Sequence, residues 1–116
     1  MHIIHLSYAY VANYNDPEAW LSRLSFFTVM LERSAAFADV TSIHLINSCG
    51  LIKRNGVVYH FLNKHWLGTM LPVHIHNRIK KLHPDVVVVH GFVFPFQVLL
   101  LRIQLGPGVK LAMIHH

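Results

Sequence analysis

Val86-Val87-Val88-Val89 is the passage that leaves this chain the fewest choices. Four β-branched residues in a row are stiff at χ1 and favour extended backbone. The run is apolar without alternation, as in a strand buried on both faces, and such strands belong to the interior of parallel sheets. His83-Pro84-Asp85 precedes it, and the residue before a proline is turned away from helix. His90-Gly91 closes it. Parallel neighbours require crossover connections, usually helices, so the chain is expected to alternate strands and helices.

The remaining segments fit that demand. His2 to Ser7 reads as a first strand and Tyr8 to Asn15 as a loop. Asp16-Pro17-Glu18 then offers an N-cap, a first-turn proline and a favourable acid. Trp20, Leu24, Phe27 and Leu31 follow at helical spacing, with Met30 alongside, which predicts one amphipathic helix to about Phe37. Val40 to Ile46 predicts a second strand. Leu51 to Leu62 predicts a hairpin around the Asn55-Gly56 turn signal. Asn63 to Leu71 fits no pattern. Pro72 to Leu82 predicts a helix, Phe92 to Leu105 a buried helix closed by Gly106-Pro107-Gly108, and Val109 to Ile114 a last strand.

Composition narrows the class further. The 116 residues suit a single domain spanning 1–116, and 53% apolar against 13% charged residues excludes a disordered or fibrous chain. One cysteine, Cys49, excludes a disulfide framework and fits a reducing compartment. The N-terminus lacks the basic region and long apolar run of a signal peptide. The greasiest stretch, Val86 to Leu101, is interrupted by His90, Gly91, Pro95 and Gln97 and falls short of the roughly 20 residues that cross a bilayer. The resulting expectation is a Rossmann-like three-layer α/β/α sandwich with a mostly parallel sheet and a β-hairpin insertion. Ligands of such sheets gather at the carboxyl ends of the strands. Those ends are Ser7 to Asn15, Asn47 to Cys49, His90 to Phe92 and His115-His116. A sheet that ends on a strand without a covering helix is expected of a piece of a longer protein.

The order of these elements, and the passage from Ile79-Lys80-Lys81-Leu82 through Pro84-Asp85 to His90-Gly91, resembles the N-terminal half of glycosyltransferase family 4, retaining enzymes of the GT-B fold. Leu99 to His116 continues the likeness, with a leucine-rich helix, a Gly-rich turn and a strand ending in histidine. The resemblance implies transfer of a sugar from a nucleotide-sugar to a glycan or lipid-linked acceptor with retained configuration. It implies a second Rossmann-like domain carrying a paired-glutamate motif, no metal or other cofactor, and a cytoplasmic enzyme with peripheral contact at the inner membrane face. The present chain alone is expected to be inactive. By the same resemblance, His115 or its neighbour His116 is the catalytic-site histidine that holds the donor sugar, and His90 and Gly91 form a turn near the acceptor. The first loop departs from the family, having no glycine. Either the loop approaches the donor phosphates through its Asn side chains, or it has become an acceptor-binding loop. Tyr8, Asn13 and Asn15 suit the latter, since aromatic faces stack on pyranose rings and amides bond hydroxyl pairs. Phe92 is placed to reach the same cleft, while the rest of Phe92 to Phe96 reads as core.

Eleven histidines invite a metal, but the spacings refuse one. His74 and His76 point apart on a helix, and His2 and His5 face opposite sides of a strand. Most of the histidines read as surface or hydrogen-bonded residues. The charge of +5 reads chiefly as solvated side chains, with Arg78, Lys80 and Lys81 complementing a helix C-terminus. No basic stretch interleaved with aromatics points to nucleic acid. A stand-alone Rossmann-like interaction or regulatory module without catalysis is the alternative. A dinucleotide-dependent oxidoreductase is disfavoured, because no Gly-x-Gly-x-x-Gly follows the first strand.

Overall fold

Residues 1–11, 15–46, 48–62, 73–90 and 95–114 are described by the computed structural model, with the side chains of 8–11, 73–74 and 95–97 outside that description. Strand β1 (His2–Val11) opens the chain, followed by helices α1 (Pro17–Arg23) and α2 (Ser25–Ser34). Strand β2 (Asp39–Ile46) and the hairpin of β3 (Gly50–Arg54) and β4 (Val57–Leu62) come next. Helix α3 (Val73–Lys81), strand β5 (Val86–His90), helix α4 (Pro95–Leu105) and strand β6 (Lys110–Ile114) complete the described elements. They make a compact α/β fold on one mixed, mostly parallel sheet, in the order β3-β4-β2-β1-β5-β6.

The valine run does what its composition demands. Strand β5 lies between β1 and β6, parallel to both, with Val87 to His90 buried. Asp85 explains the residue in front of it. Its carboxylate accepts from the His2 amide at 2.7 Å, its own amide donates to the His2 carbonyl at 2.8 Å, and its carbonyl accepts from the Lys110 amide at 3.0 Å. One aspartate therefore ties the starts of β1, β5 and β6 together. The helix break before it is made by His83, whose φ of 51° is the left-handed turn that ends many helices.

Alternation along the strands splits the core in two. Ile4, Leu6, Ile43, Leu45, Val87 and Val89 pack with Ile75 and Ile79 of α3 and with Val98 and Leu101 of α4. Val40, Ile46, Val57, Tyr59 and Phe61 pack with Leu21 of α1 and Leu31 of α2. Histidines follow the same rule: His2 reaches Leu82 and Thr41, whereas His5 turns to the other side and meets Phe27.

Two expectations are corrected. The loop placed at Tyr8 to Asn15 begins later, because β1 continues to Val11, pairing Tyr10 with Leu45 and Val11 with Ile46 after a register shift beyond Leu6. Aromatic and β-branched residues favour the pleated state, and the partner strand was long enough to receive them. The single helix to Phe37 is two helices. Leu24 leaves the helical region at φ −96°, ψ 32°, and its amide bonds both Trp20 and Leu21 carbonyls. Asp16 caps α1 as expected, accepting from the Glu18 amide at 3.1 Å.

The Asn55-Gly56 turn has φ of 51° and 85°, the signature of the tight turn that matches strand twist. An added Cβ at Gly56 would also stand 3.1 Å from Ala35 Cβ. Gly56→Ala is expected to lower stability by about 1–2 kcal/mol, the cost of forcing a side chain into left-handed backbone. Gly50→Ala, with open space around it, should be near neutral in the same urea melt.

Candidate functional site

Strand order decides where a ligand can sit. The chain runs from β1 outward to β2 and β4, then returns through α3 to place β5 on the other side of β1. Where the direction of travel reverses, a crevice opens beyond the carboxyl ends of the strands. A cavity of about 270 Å³ lies close to that reversal, on the face of the sheet between β1, β2 and β5 and the two N-terminal helices, and only His90 reaches it from a strand end. His5, Ser42, His44 and His90 supply its main polar groups, and Trp20, Leu24 and Phe27 its helical wall.

Register brings these groups together. His5 pairs with Ser42 on β2 and with Val88 on β5, so alternate residues Ser42, His44 and His90 lie on the His5 side of the sheet. His5 Nδ1 and His90 Nε2 are 2.9 Å apart, one donating and the other accepting. Their rings are 5.2 Å apart at 28°. Phe27 stands nearly perpendicular to three imidazoles, with centroids 6.0 Å from His5, 6.0 Å from His44 and 5.0 Å from His90.

His44 is held from both ends. The Trp20 indole donates to its Nδ1 at 3.1 Å, and its Nε2 lies 2.7 Å from Ser42 Oγ. An indole N–H can only donate, so Nδ1 carries the lone pair and Nε2–H of the neutral ring donates to serine. Ser42 and His44 therefore do not form a nucleophile with its base, because the nitrogen facing the hydroxyl already holds a proton. The pair positions Trp20 and completes the wall. Burial pushes the His44 pKa down to about 3, helped by His90 and His5, and burial pushes His5 down to about 4. Both rings are uncharged at neutral pH.

Of the residues expected to bind a ligand, His90 stands in the cavity wall, buried and bonded to His5. Asn15 is exposed and does not line the cavity. The Tyr8 backbone belongs to β1, while its side chain, with Asn13, Gly91, Phe92, His115 and His116, lies outside the described residues. The sequence reading missed His5, His44, Ser42, Trp20 and Phe27. Two signals were available: Ser42 and His44 are polar at alternate positions of an otherwise apolar strand, and Trp20 and Phe27 share a helical stripe. No group of three or more metal-ligating side chains occurs among the described residues, and no helix among them is long and apolar enough to cross a membrane. Comparison with protein families, with characterised proteins and with solved structures finds no match to this chain.

Proposed function

We propose that the chain is the N-terminal, acceptor-side domain of a retaining glycosyltransferase of family 4, a Rossmann-like α/β/α sandwich that works with a second domain. Among the parallel strands, the order β4-β2-β1-β5-β6 follows that of doubly wound sheets, with β3 added antiparallel at one edge. Cores that draw on different helices from alternate strand residues fit a three-layer arrangement. The observation that carries the functional part is the position of His90. It belongs to the very passage that bears the family resemblance, and from the carboxyl end of β5 it lines the cavity.

In this reading the acceptor hydroxyl sits against the imidazole pair, in a wall dry enough to strengthen its hydrogen bond. The donor enters from the second domain, which stabilises the leaving diphosphate with basic groups and a helix N-terminus. His115 or His116 holds the donor sugar. The test is to express the chain joined to whatever its gene encodes after His116. A second α/β half with a paired-glutamate motif is expected, and the joined protein should consume a nucleotide-sugar with retention. His90→Gln should lower turnover about tenfold, equivalent to 1.4 kcal/mol of barrier. A continuation lacking such a half, or an intact nucleotide-sugar, would sink the proposal.

A second reading, an interaction module without catalysis, is favoured by Phe26 and Phe37, which are 95% and 91% exposed. Exposed aromatics mark association surfaces where they share one contiguous apolar patch. If that reading is right, Phe26→Asp should abolish partner capture while leaving the cavity unchanged.

A further inference from the structure

We infer that the cavity binds an uncharged, single-ring alcohol or phenol whose hydroxyl bonds the open end of the His5–His90 pair. The inference rests on the reading of this cavity as the acceptor site and names the acceptor's chemistry. Size comes first. A dry cavity of about 150 Å³ is known to hold benzene, so about 270 Å³ accommodates one ring with small substituents. The walls come next. Leu24, Phe27 and the Trp20 indole offer apolar surface to a ring's body.

The polar groups select the rest of the ligand. Ser42 and His44 bond each other, and the second nitrogen of His44 is taken by Trp20. His90 is bonded to His5. That leaves His5 Nε2, which has no hydrogen-bond partner among the described residues, the Ser7 hydroxyl, and the proton of the Ser42 hydroxyl, which accepts from His44 and can still donate to a ligand oxygen. If His5 Nδ1 donates to His90, Nε2 accepts; if Nδ1 accepts, Nε2 donates. A hydroxyl satisfies either state because it does both, whereas a carboxylate or ether only accepts. Burial keeps His5 neutral, so an anion finds no countercharge there. A pyranose fits poorly for a different reason. It carries hydroxyls around its rim, and each one left unpaired costs about 1–3 kcal/mol.

The experiment uses p-cresol and toluene, which differ by one hydroxyl, with maltose and UDP-glucose as competitors. Binding to the 116-residue chain is followed through the Trp20 indole N–H resonance. We expect p-cresol to bind at least tenfold more tightly than toluene, a difference of 1.4 kcal/mol. His5→Gln should shrink that ratio below threefold, and Leu24→Trp, which fills the cavity, should abolish binding of both. Equal affinities for the two probes, or maltose binding more tightly than p-cresol, would overturn the inference. The two proposals fail separately. If p-cresol binds with its hydroxyl preference but the joined protein glycosylates nothing, the cavity assignment holds and the transferase reading falls. If the joined protein glycosylates maltose while p-cresol neither binds nor competes, the inference falls and the transferase reading holds.

Discussion

Between pH 7 and pH 5 the protein is expected to lose about 4 kcal/mol of stability, as two buried histidines are left behind by their unfolded counterparts. The sign follows from the direction of the shifts. Burial lowers His5 to about 4 and His44 to about 3. In the unfolded chain both take up protons near the ordinary value of about 6.5. Below that pH the unfolded state binds more protons than the folded one, so stability is complete above it and falls as the solution is acidified. Each histidine contributes about 1.4 kcal/mol per pH unit, or about 2 kcal/mol by pH 5. His60 and His76, lowered chiefly by burial, act in the same direction. Against a usual total of about 5–15 kcal/mol the loss is large, and it corresponds to a drop of about 15 °C in Tm. Thermal melts at the two pH values would show it, and a Tm that stays level would mean that these rings are not buried in the neutral form.

The fold was legible wherever a short segment settles its own structure. The valine run, the Asn55-Gly56 turn and the Asp16 cap each act within a few residues, and each stands where local chemistry puts it. The break at Leu24 was not legible, because neither proline nor glycine marks it. Nor was the extension of β1 to Val11, which depends on finding β2 alongside. The site was harder still. His5, His44 and His90 come from three strands, and Trp20 and Phe27 from two helices that the sequence joins into one. Their meeting depends on register, a property of pairs of strands rather than of either one.

The Pro84-Asp85 passage carries a related lesson. Asp85 joins three strand starts by hydrogen bonds, so any parallel sheet with this geometry has use for such a residue. What reaches beyond scaffolding is the other end of the same strand, where His90 lines the cavity. The excess of histidine likewise divides by position. His2 and His76 link elements, His76 through a 2.6 Å contact with Gln104, whereas His5 and His90 face space a ligand can fill.

Phe27→Ala is expected to lower stability by about 3 kcal/mol at pH 7, the low end for losing a phenylalanine from a core. The ring is half-buried, packs against the Leu21 and Leu31 cluster, and meets three imidazoles at 86°, 87° and 89°. Perpendicular ring pairs of this kind add about 0.5–1.5 kcal/mol each beyond area burial. Its removal also widens the cavity and admits water to His5. Since burial is what lowers that ring's pKa, its value should climb from about 4 toward the ordinary range. The variant is therefore less stable at pH 7 yet less sensitive to acid, and its deficit should narrow to about 1–2 kcal/mol at pH 5. Phe27→Leu keeps most of the volume but loses the ring edges, and should cost about 1.5–2 kcal/mol with an unchanged pH profile. Urea melts of the three proteins at both pH values separate the contributions. Converging curves for wild type and Phe27→Ala would tie the acid sensitivity to this cavity, and parallel ones would place its origin elsewhere in the sheet.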